Sequence, residues 1–325
     1  MLLSVGVFVL LALSTTAYAQ SSEPVNPYRT EGVPGGDEVL GDFVVGPGKV
    51  DLRLNPGETR TVEILVTNRT GERRMFNLAT EDAAGSQDQS VAIQLLGDDR
   101  GPYSIRDYIS VPAKSFVLEQ NQRAHIPVTI SIPLDAEPGG LYGSLLVDTV
   151  AIDAVPGDVN SGTVPQSAIV ARVGTLFFVT IPGALEYDAT LSEFGTLQKQ
   201  KFYQSGPVTF GLLHENKGSV HIAPYGELRI RNFFGEEVGY LELDPWFVLP
   251  NSVRLREVTW TRDYLFGRYT ASVAINRGYD DVVDEAQYTF WVLPWKPIAL
   301  AFAGLFVVIF LIRSFLKRFE FKRRD

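Results

Sequence analysis

Three histidines, no cysteine and carboxylates set in adjacent pairs are what this chain of 325 residues offers for chemistry. His214 and His221 stand seven apart on different predicted strands, and His125 lies far from both. Metal sites need three or four convergent ligands, so none is assigned. Without cysteine there is no thiol nucleophile. The sequence contains no Gly-x-Ser-x-Gly elbow, Walker loop or His-Glu-x-x-His. Glu81-Asp82, Asp98-Asp99 and Asp280-Asp281 fall in predicted loops and read first as solvated turns. A glycosidase would need two carboxylates facing each other across a cleft, which their number alone does not exclude. Asp280, Asp281, Asp284 and Glu285 could gather around calcium but lack EF-hand spacing. No catalytic, cofactor-binding or metal-ligating residue is assigned, and the chain is read as a non-enzyme. Asn68-Arg69-Thr70 is formally a glycosylation sequon, but its setting favours a hairpin turn.

The elements that would position these groups are strands. Short runs of alternating apolar residues recur from Asp42 on, separated by Gly, Pro, Asn and Asp. Thr61–Val66, Met75–Thr80, Leu141–Ile152 and Ile169–Ile181 read as strands. Ser115–Leu118 and Ala124–Ile132 read as a hairpin across Asn121-Gln122. Ala124, Ile126, Val128, Ile130 and Ile132 share one face, and Pro127 among them implies an edge or a bulge. Pro182-Gly183 marks a boundary. Beyond it lie seven candidate strands: Leu185–Phe194, Val208–Glu215, Glu227–Arg231, Val238–Leu243, Val253–Trp260, Arg268–Ile275 and Tyr288–Leu293. That number suits one immunoglobulin-like sandwich. Trp260 is expected in its core. Phe233-Phe234-Gly235 reads as an exposed hairpin tip, which makes Phe233 and Phe234 candidates for contact with the first domain, a membrane surface or a partner protein.

Both termini carry addresses. Residues 1–19 have an apolar run from Leu2 to Leu13, then Ala17-Tyr18-Ala19, and are expected to be a signal peptide cleaved between Ala19 and Gln20. The region before that run has no Lys or Arg. Residues 20–41, rich in Ser, Pro, Gly and Glu, are expected to form a flexible lead-in. Ile298–Ile312 is wholly apolar, and Lys296 and Arg313 can snorkel to lengthen it, giving a membrane helix over 294–316. Trp291 and Trp295 stand where an interfacial aromatic belt would lie. Arg313, Lys317, Arg318, Lys322, Arg323 and Arg324 face only Glu320 and Asp325. That asymmetry puts a basic tail, 317–325, in the cytoplasm and the rest outside the cell membrane, as a single-pass protein with its N-terminus outside. No Leu-Pro-x-Thr-Gly sorting signal precedes the helix, so the anchor is expected to stay in the membrane.

The net charge is −9, and without the termini 23 basic and 36 acidic groups remain, a net of −13. An acidic ectodomain argues against nucleic acid as partner. The lack of cysteine favours a prokaryote whose exported domains rely on hydrophobic cores, and it excludes lipid attachment at a mature N-terminal Cys.

The first domain carries an ordered set of features. Phe43-Val44-Val45 with Pro47 is followed by Leu54-Asn55-Pro56-Gly57-Glu58 and by a strand ending Val66-Thr67-Asn68. Later come Val128-Thr129-Ile130-Ser131-Ile132-Pro133 and Glu137-Pro138-Gly139-Gly140-Leu141-Tyr142-Gly143-Ser144-Leu145. This order resembles the WxL-interacting protein family of bacterial surface proteins. The family is similar in plan too: a signal peptide, two immunoglobulin-like domains, one C-terminal helix and a short basic tail. The resemblance implies peptidoglycan binding by the first domain, 42–182, and binding of host or companion surface proteins by the second, 183–293. The stretch Asp82–Asp107 and the acidic loop Asp280–Glu285 depart from the family pattern.

The motif residues themselves read as fold-building. Pro56 and Gly57 suit the second and third positions of a turn, and Gly143 suits a close backbone approach or a bulge. Tyr142 reads as a core or sheet-face tyrosine more than a glycan platform. The expected fold is therefore all-β, with two immunoglobulin-like sandwiches and one transmembrane helix. The expected function is adhesion or scaffolding at the cell surface, engaging cell-wall peptidoglycan, companion surface proteins or both, without cofactors. The alternative is a membrane-tethered assembly chaperone for exported or pilus-like proteins, which would pair clients with an accessible edge strand.

Overall fold

The computed structural model of the protein describes residues 26–34, 39–151 and 171–318. The signal-peptide cleavage expected at Ala19 and Gln20, and most of the basic tail, lie outside the described residues. The first part of the chain forms β1 (Arg29–Gly32), β2 (Asp42–Gly46), β3 (Lys49–Arg53), β4 (Thr59–Arg69), β5 (Arg74–Ala84), β6 (Gln94–Leu95), β7 (Ile109–Ser110), β8 (Ser115–Leu118), β9 (Gln122–Ser131), β10 (Gly139–Ala151) and β11 (Arg172–Ile181). One sheet runs β1-β9-β4-β2, with β7 also on β9. The other runs β3-β11-β10-β5-β6, with β8 also on β5. Their facing sides enclose one core. Ile64 and Val66 of β4 and Ile126, Val128 and Ile130 of β9 meet Phe76, Phe116, Leu145 and Phe177 from the opposite sheet. Burial of each such side chain contributes roughly 1.5–3 kcal/mol.

Three features of this sheet pair differ from the sequence reading. Residues 20–41 were expected to be a flexible lead-in, yet they include β1, paired with β9 from Arg29↔His125 to Gly32↔Gln122. Tyr28 is buried in the core, edge-on to Phe116. Its hydroxyl donates to the Ala113 carbonyl, a long-range contact that local composition does not register. Secondly, β8 and β9 are not a hairpin. β8 pairs with β5 and β9 pairs with β4, in opposite sheets. The apolar faces of both strands fill the same core from opposite sides, and Asn121, at φ +60°, turns the chain between them. Thirdly, Pro127 lies in mid-sheet. On one side β9 pairs with β4. On the other, β1 ends at His125 and β7 begins at Thr129, so Pro127 falls in the gap, exposed, where no ladder needs its missing N–H.

The second part forms β12 (Ala189–Thr196), β13 (Phe202–Tyr203), β14 (Val208–Asn216), β15 (Tyr225–Asn232), β16 (Glu237–Leu243), β17 (Ser252–Trp260), β18 (Gly267–Asn276) and β19 (Val283–Val292). All seven strands read from the sequence are present, with short β13 added. A β12-β14-β17 sheet covers a β13-β19-β18-β15-β16 sheet. Their core holds Phe210, Leu212, Leu228, Ile230, Trp246, Val273 and Phe290, and Trp260 joins it as expected. Pro182-Gly183 falls between the last residue of the first core, Ile181, and the first of the second, Ala189.

Each sandwich is fastened by a buried asparagine at the end of a strand. Asn68 of β4 donates through Nδ2 to the carbonyls of Glu72, Leu118 and Glu119 at 2.8, 3.0 and 3.2 Å, and its Oδ1 accepts from the N–H and hydroxyl of Thr70. Asn216 of β14 donates to Val220 and Val248, both at 2.9 Å, and accepts from Gly218 N–H. Both asparagines are wholly buried. The sequon at Asn68 is therefore a turn whose amide is already committed to backbone.

After β19 only Leu293 and Pro294 precede α1 (Trp295–Arg318). Its 24 residues span ~36 Å at ~1.5 Å each, enough for ~30 Å of hydrocarbon. None of its apolar window is buried against protein. A core helix would have its apolar side chains covered; α1 is uncovered, and is long and apolar enough to cross a membrane.

Candidate functional site

The stretch from Asp82 to Asp107 is organised by one carboxylate. Asp82 is fully buried. It accepts the backbone N–H groups of Ile105 and Arg106 at 3.2 and 3.1 Å on Oδ1 and that of Gly101 at 3.3 Å on Oδ2. Three N–H donors replace the water the carboxylate loses on burial. The loop so fixed brings Tyr103, Ser104 and Tyr108 against the chain that enters β10. Tyr142 N–H donates to Tyr103 O at 2.8 Å, and Ser104 makes a single bridge to Tyr142.

Between these segments lies a cleft of about 450 Å³. Its lining includes Tyr103, Ser104 and Tyr108, Asp135 and Glu137, Gly139 and Gly140, and Ile181 and Ser219. The volume suits a short segment of glycan or peptide. Partly exposed tyrosine rings offer faces for sugar rings, and the two carboxylates offer acceptors for hydroxyls or an ammonium group. Asp135 and Glu137 are both exposed.

Tyr142 itself does not line a glycan surface. It is wholly buried where the two sandwiches meet, packed on Phe178, Tyr103 and His221. Its hydroxyl accepts the His221 N–H at 2.7 Å and lies 3.2 Å from Nδ1 of the same residue. Burial pushes the Tyr142 pKa up, so the hydroxyl stays protonated. His221 Nε2 lies 3.5 Å from Asp51 Oδ2, and this hydrogen bond is the main reason the Asp51 carboxyl sits below its ordinary range. The Asp82–Asp107 stretch extends the joint. Ser86 O accepts from Val253 N–H, Gln89 O from Leu255 N–H, and Gln87 Nε2 donates to Asn251 O. The Asp82–Asp107 stretch thus both lines the cleft and clamps the second sandwich. Spacing alone could not show that, since its partners lie about 150 residues away.

The histidines go to three separate places. His125, on β9, lies between Glu31 and Glu63 at 3.2 and 3.0 Å. His214 is buried beneath Trp246, and His221 is at the joint. Among the described residues no group of three or more His, Asp and Glu side chains is placed to hold a metal ion. Of the acidic turn, Asp284 is taken up by a bidentate bond with Arg277 at 3.0 and 2.6 Å and by Leu191 N–H. Burial pushes its pKa up, but the Arg277 and Leu191 bonds outweigh this and hold it low. Phe233 and Phe234 sit at the β15–β16 tip, 62% and 82% exposed.

Residues 50–149 match the family model of the WxL interacting protein peptidoglycan binding domain. The matched stretch runs from β3 into β10. Every residue lining the cleft except Ile181 and Ser219 falls within the matched stretch. No curated protein matches the chain. Among solved structures it resembles the class 5 fimbriae chaperone CfaA at 10% identity and TM-score 0.37, over 78% of this chain and 100% of that one. The Pseudomonas aeruginosa CupB2 chaperone is similar at 12% identity and TM-score 0.34, over 77% and 100%. The E. coli chaperone DraB follows at 13% and 0.32, over 77% and 96%. Likeness at this level carries no functional argument.

Proposed function

We propose that this is a single-pass cell-surface protein of the WxL interacting type that binds peptidoglycan through the first domain and holds it to the membrane through α1. The observation that carries the reading is that the family match encloses the cleft lined by Tyr103, Tyr108, Asp135 and Glu137. Its ligand is a short glycan segment laid on the tyrosine faces, with the carboxylates receiving sugar hydroxyls or the amino group of a stem peptide. The work is binding and scaffolding. The basic residues after α1 favour a cytoplasmic C-terminus and an external N-terminus. The second domain is the membrane-proximal module and the one available to companion surface proteins.

The test is retention of detergent-solubilised full-length protein on purified cell-wall sacculi, beside the variants Tyr108→Ala and Asp135→Asn/Glu137→Gln. Retention weakened about tenfold or more by Tyr108→Ala, roughly the loss of one good ring contact, supports the reading. Failure of the wild type to bind sacculi overturns it. The chaperone alternative rests on β2, an edge strand of the first domain. It would be favoured if sacculi were not bound and one exported protein were recovered stoichiometrically, with recovery lost on Val44→Pro.

A further inference from the structure

The second domain ends in a cluster of aromatic rings at the point where the chain leaves for the membrane. Strand register puts distant segments at this one end. β18 begins where β19 ends, with Gly267 opposite Val292, two residues before α1. Phe202 of β13 lies opposite Trp291, and the last residue of β15, Asn232, lies opposite Tyr269. The β15–β16 tip, the β17–β18 loop, β13 and the root of α1 therefore share one rim. Neighbouring strands are ~4.8 Å apart, so the tip lies only some 10–15 Å from α1 across the sheet.

Exposure along this rim is unlike that elsewhere. Among the described residues before α1, the exposed phenylalanines are Phe202, Phe233, Phe234 and Phe266, and all four are here. Tyr264, 94% exposed, stands with them, as do Trp291, Leu293 and Trp295. Lys201, Arg262, Arg268 and Lys296 are interspersed, with Asp263 and Glu236 as acidic neighbours. The Arg268 guanidinium lies over the Phe233 ring at 5.4 Å. An open cleft of about 850 Å³ separates the β17–β18 loop from Pro294–Pro297 and includes Tyr264, Phe266 and Lys296.

Large rings mixed with basic side chains are what the boundary between headgroups and hydrocarbon accepts. The two-residue link, hydrogen-bonded from Leu293 N–H to Tyr203 O at 2.8 Å, leaves the domain little distance from that boundary. We infer that the rim formed by Phe202, Phe233, Phe234, Tyr264 and Phe266 docks into the lipid interface around α1, so that the second domain is seated on the bilayer rather than swinging above it. The occupant is lipid because the rim is continuous with the span and carries basic groups in an otherwise acidic ectodomain. This inference rests on α1 crossing a membrane.

The chain has no cysteine, which permits single fluorophores at Phe234→Cys, Tyr264→Cys, Leu305→Cys in α1, and Leu134→Cys in the first domain. Full-length protein is reconstituted into vesicles of phosphatidylcholine and phosphatidylglycerol carrying nitroxide-labelled lipid. Quenching at 234 and 264 roughly threefold or more above that at 134, with 305 quenched most, is the expected result for interfacial depth. If 305 is quenched but 234 and 264 match 134, the rim does not meet lipid and the inference is overturned, leaving a protein partner for that surface. If 305 is not quenched either, the span itself fails and the inference fails with it.

Discussion

Protonation of His214 should loosen the second domain alone. The ring is fully buried and neither nitrogen has a hydrogen-bond partner. Desolvation lowers its pKa from 6.5 to about 4, with Asp284 raising it and Arg277 lowering it by smaller amounts. In the unfolded chain the same imidazole titrates at its ordinary value near 6.5. Between these pH values the unfolded state therefore binds the extra proton, so stability is full above pH 6.5 and falls as pH drops toward 4. A gap of roughly 2.5 units at ~1.4 kcal/mol each gives a limiting loss of about 3.5 kcal/mol. Tryptophan fluorescence isolates this event, because Trp246, Trp260, Trp291 and Trp295 are the only tryptophans and all lie in the second domain or at the root of α1. Urea unfolding in detergent, followed by this signal from pH 7.5 to 4.5, should show wild type losing about 2–3 kcal/mol more than His214→Phe, which cannot titrate. Carboxylates shared by both proteins cancel in the difference. Parallel pH profiles for the two would refute the reasoning, since a buried imidazole without partners would then cost nothing to charge.

Asn68→Ala should destabilise the first domain by about 2–4 kcal/mol, because the Leu118 carbonyl and its neighbours lose their donor inside the fold. Thr70→Ala, which destroys the same sequon, should cost about 1 kcal/mol or less; circular-dichroism melts decide, and equal losses would count against the buried-amide account. Gly143→Ala places a methyl 2.8 Å from the Glu81 carbonyl and 2.6 Å from Ile105 Cγ2, so it should lower stability by more than the ~1 kcal/mol of an ordinary strand substitution in the same melts. Tyr142→Phe leaves the His221 N–H without its acceptor at 2.7 Å and should weaken the joint by about 1–3 kcal/mol, seen as wider separation of the two domains' unfolding transitions in calorimetry.

Period and punctuation were enough for much of this protein. The alternation Ala124–Ile132 announced a strand with one buried face, and the seven strands after Pro182 were all legible, because side-chain burial on a sheet follows a two-residue period. The apolar run from Ile298, bounded by charge, specified a helix long and apolar enough to span a membrane without reference to any other segment. Gly57, at φ +82°, is the turn residue its place after Pro56 required. These are local signals.

Long-range pairing was beyond such signals. β8 and β9 look like a hairpin because both alternate and a turn separates them, yet alternation does not say which of two sheets a strand joins. Tyr28 looked like part of a polar lead-in because its partners, Phe116 and Ala113, lie some 85 residues on. Asp82 read as a surface carboxylate until three N–H donors folded around it, and Tyr142, legible as a core or sheet-face ring, is buried because the second sandwich closes over it. The cleft and the aromatic rim share this character. Each is assembled from loops that neighbour one another only because the strands between them are in register, and register is settled by the packing of the whole core.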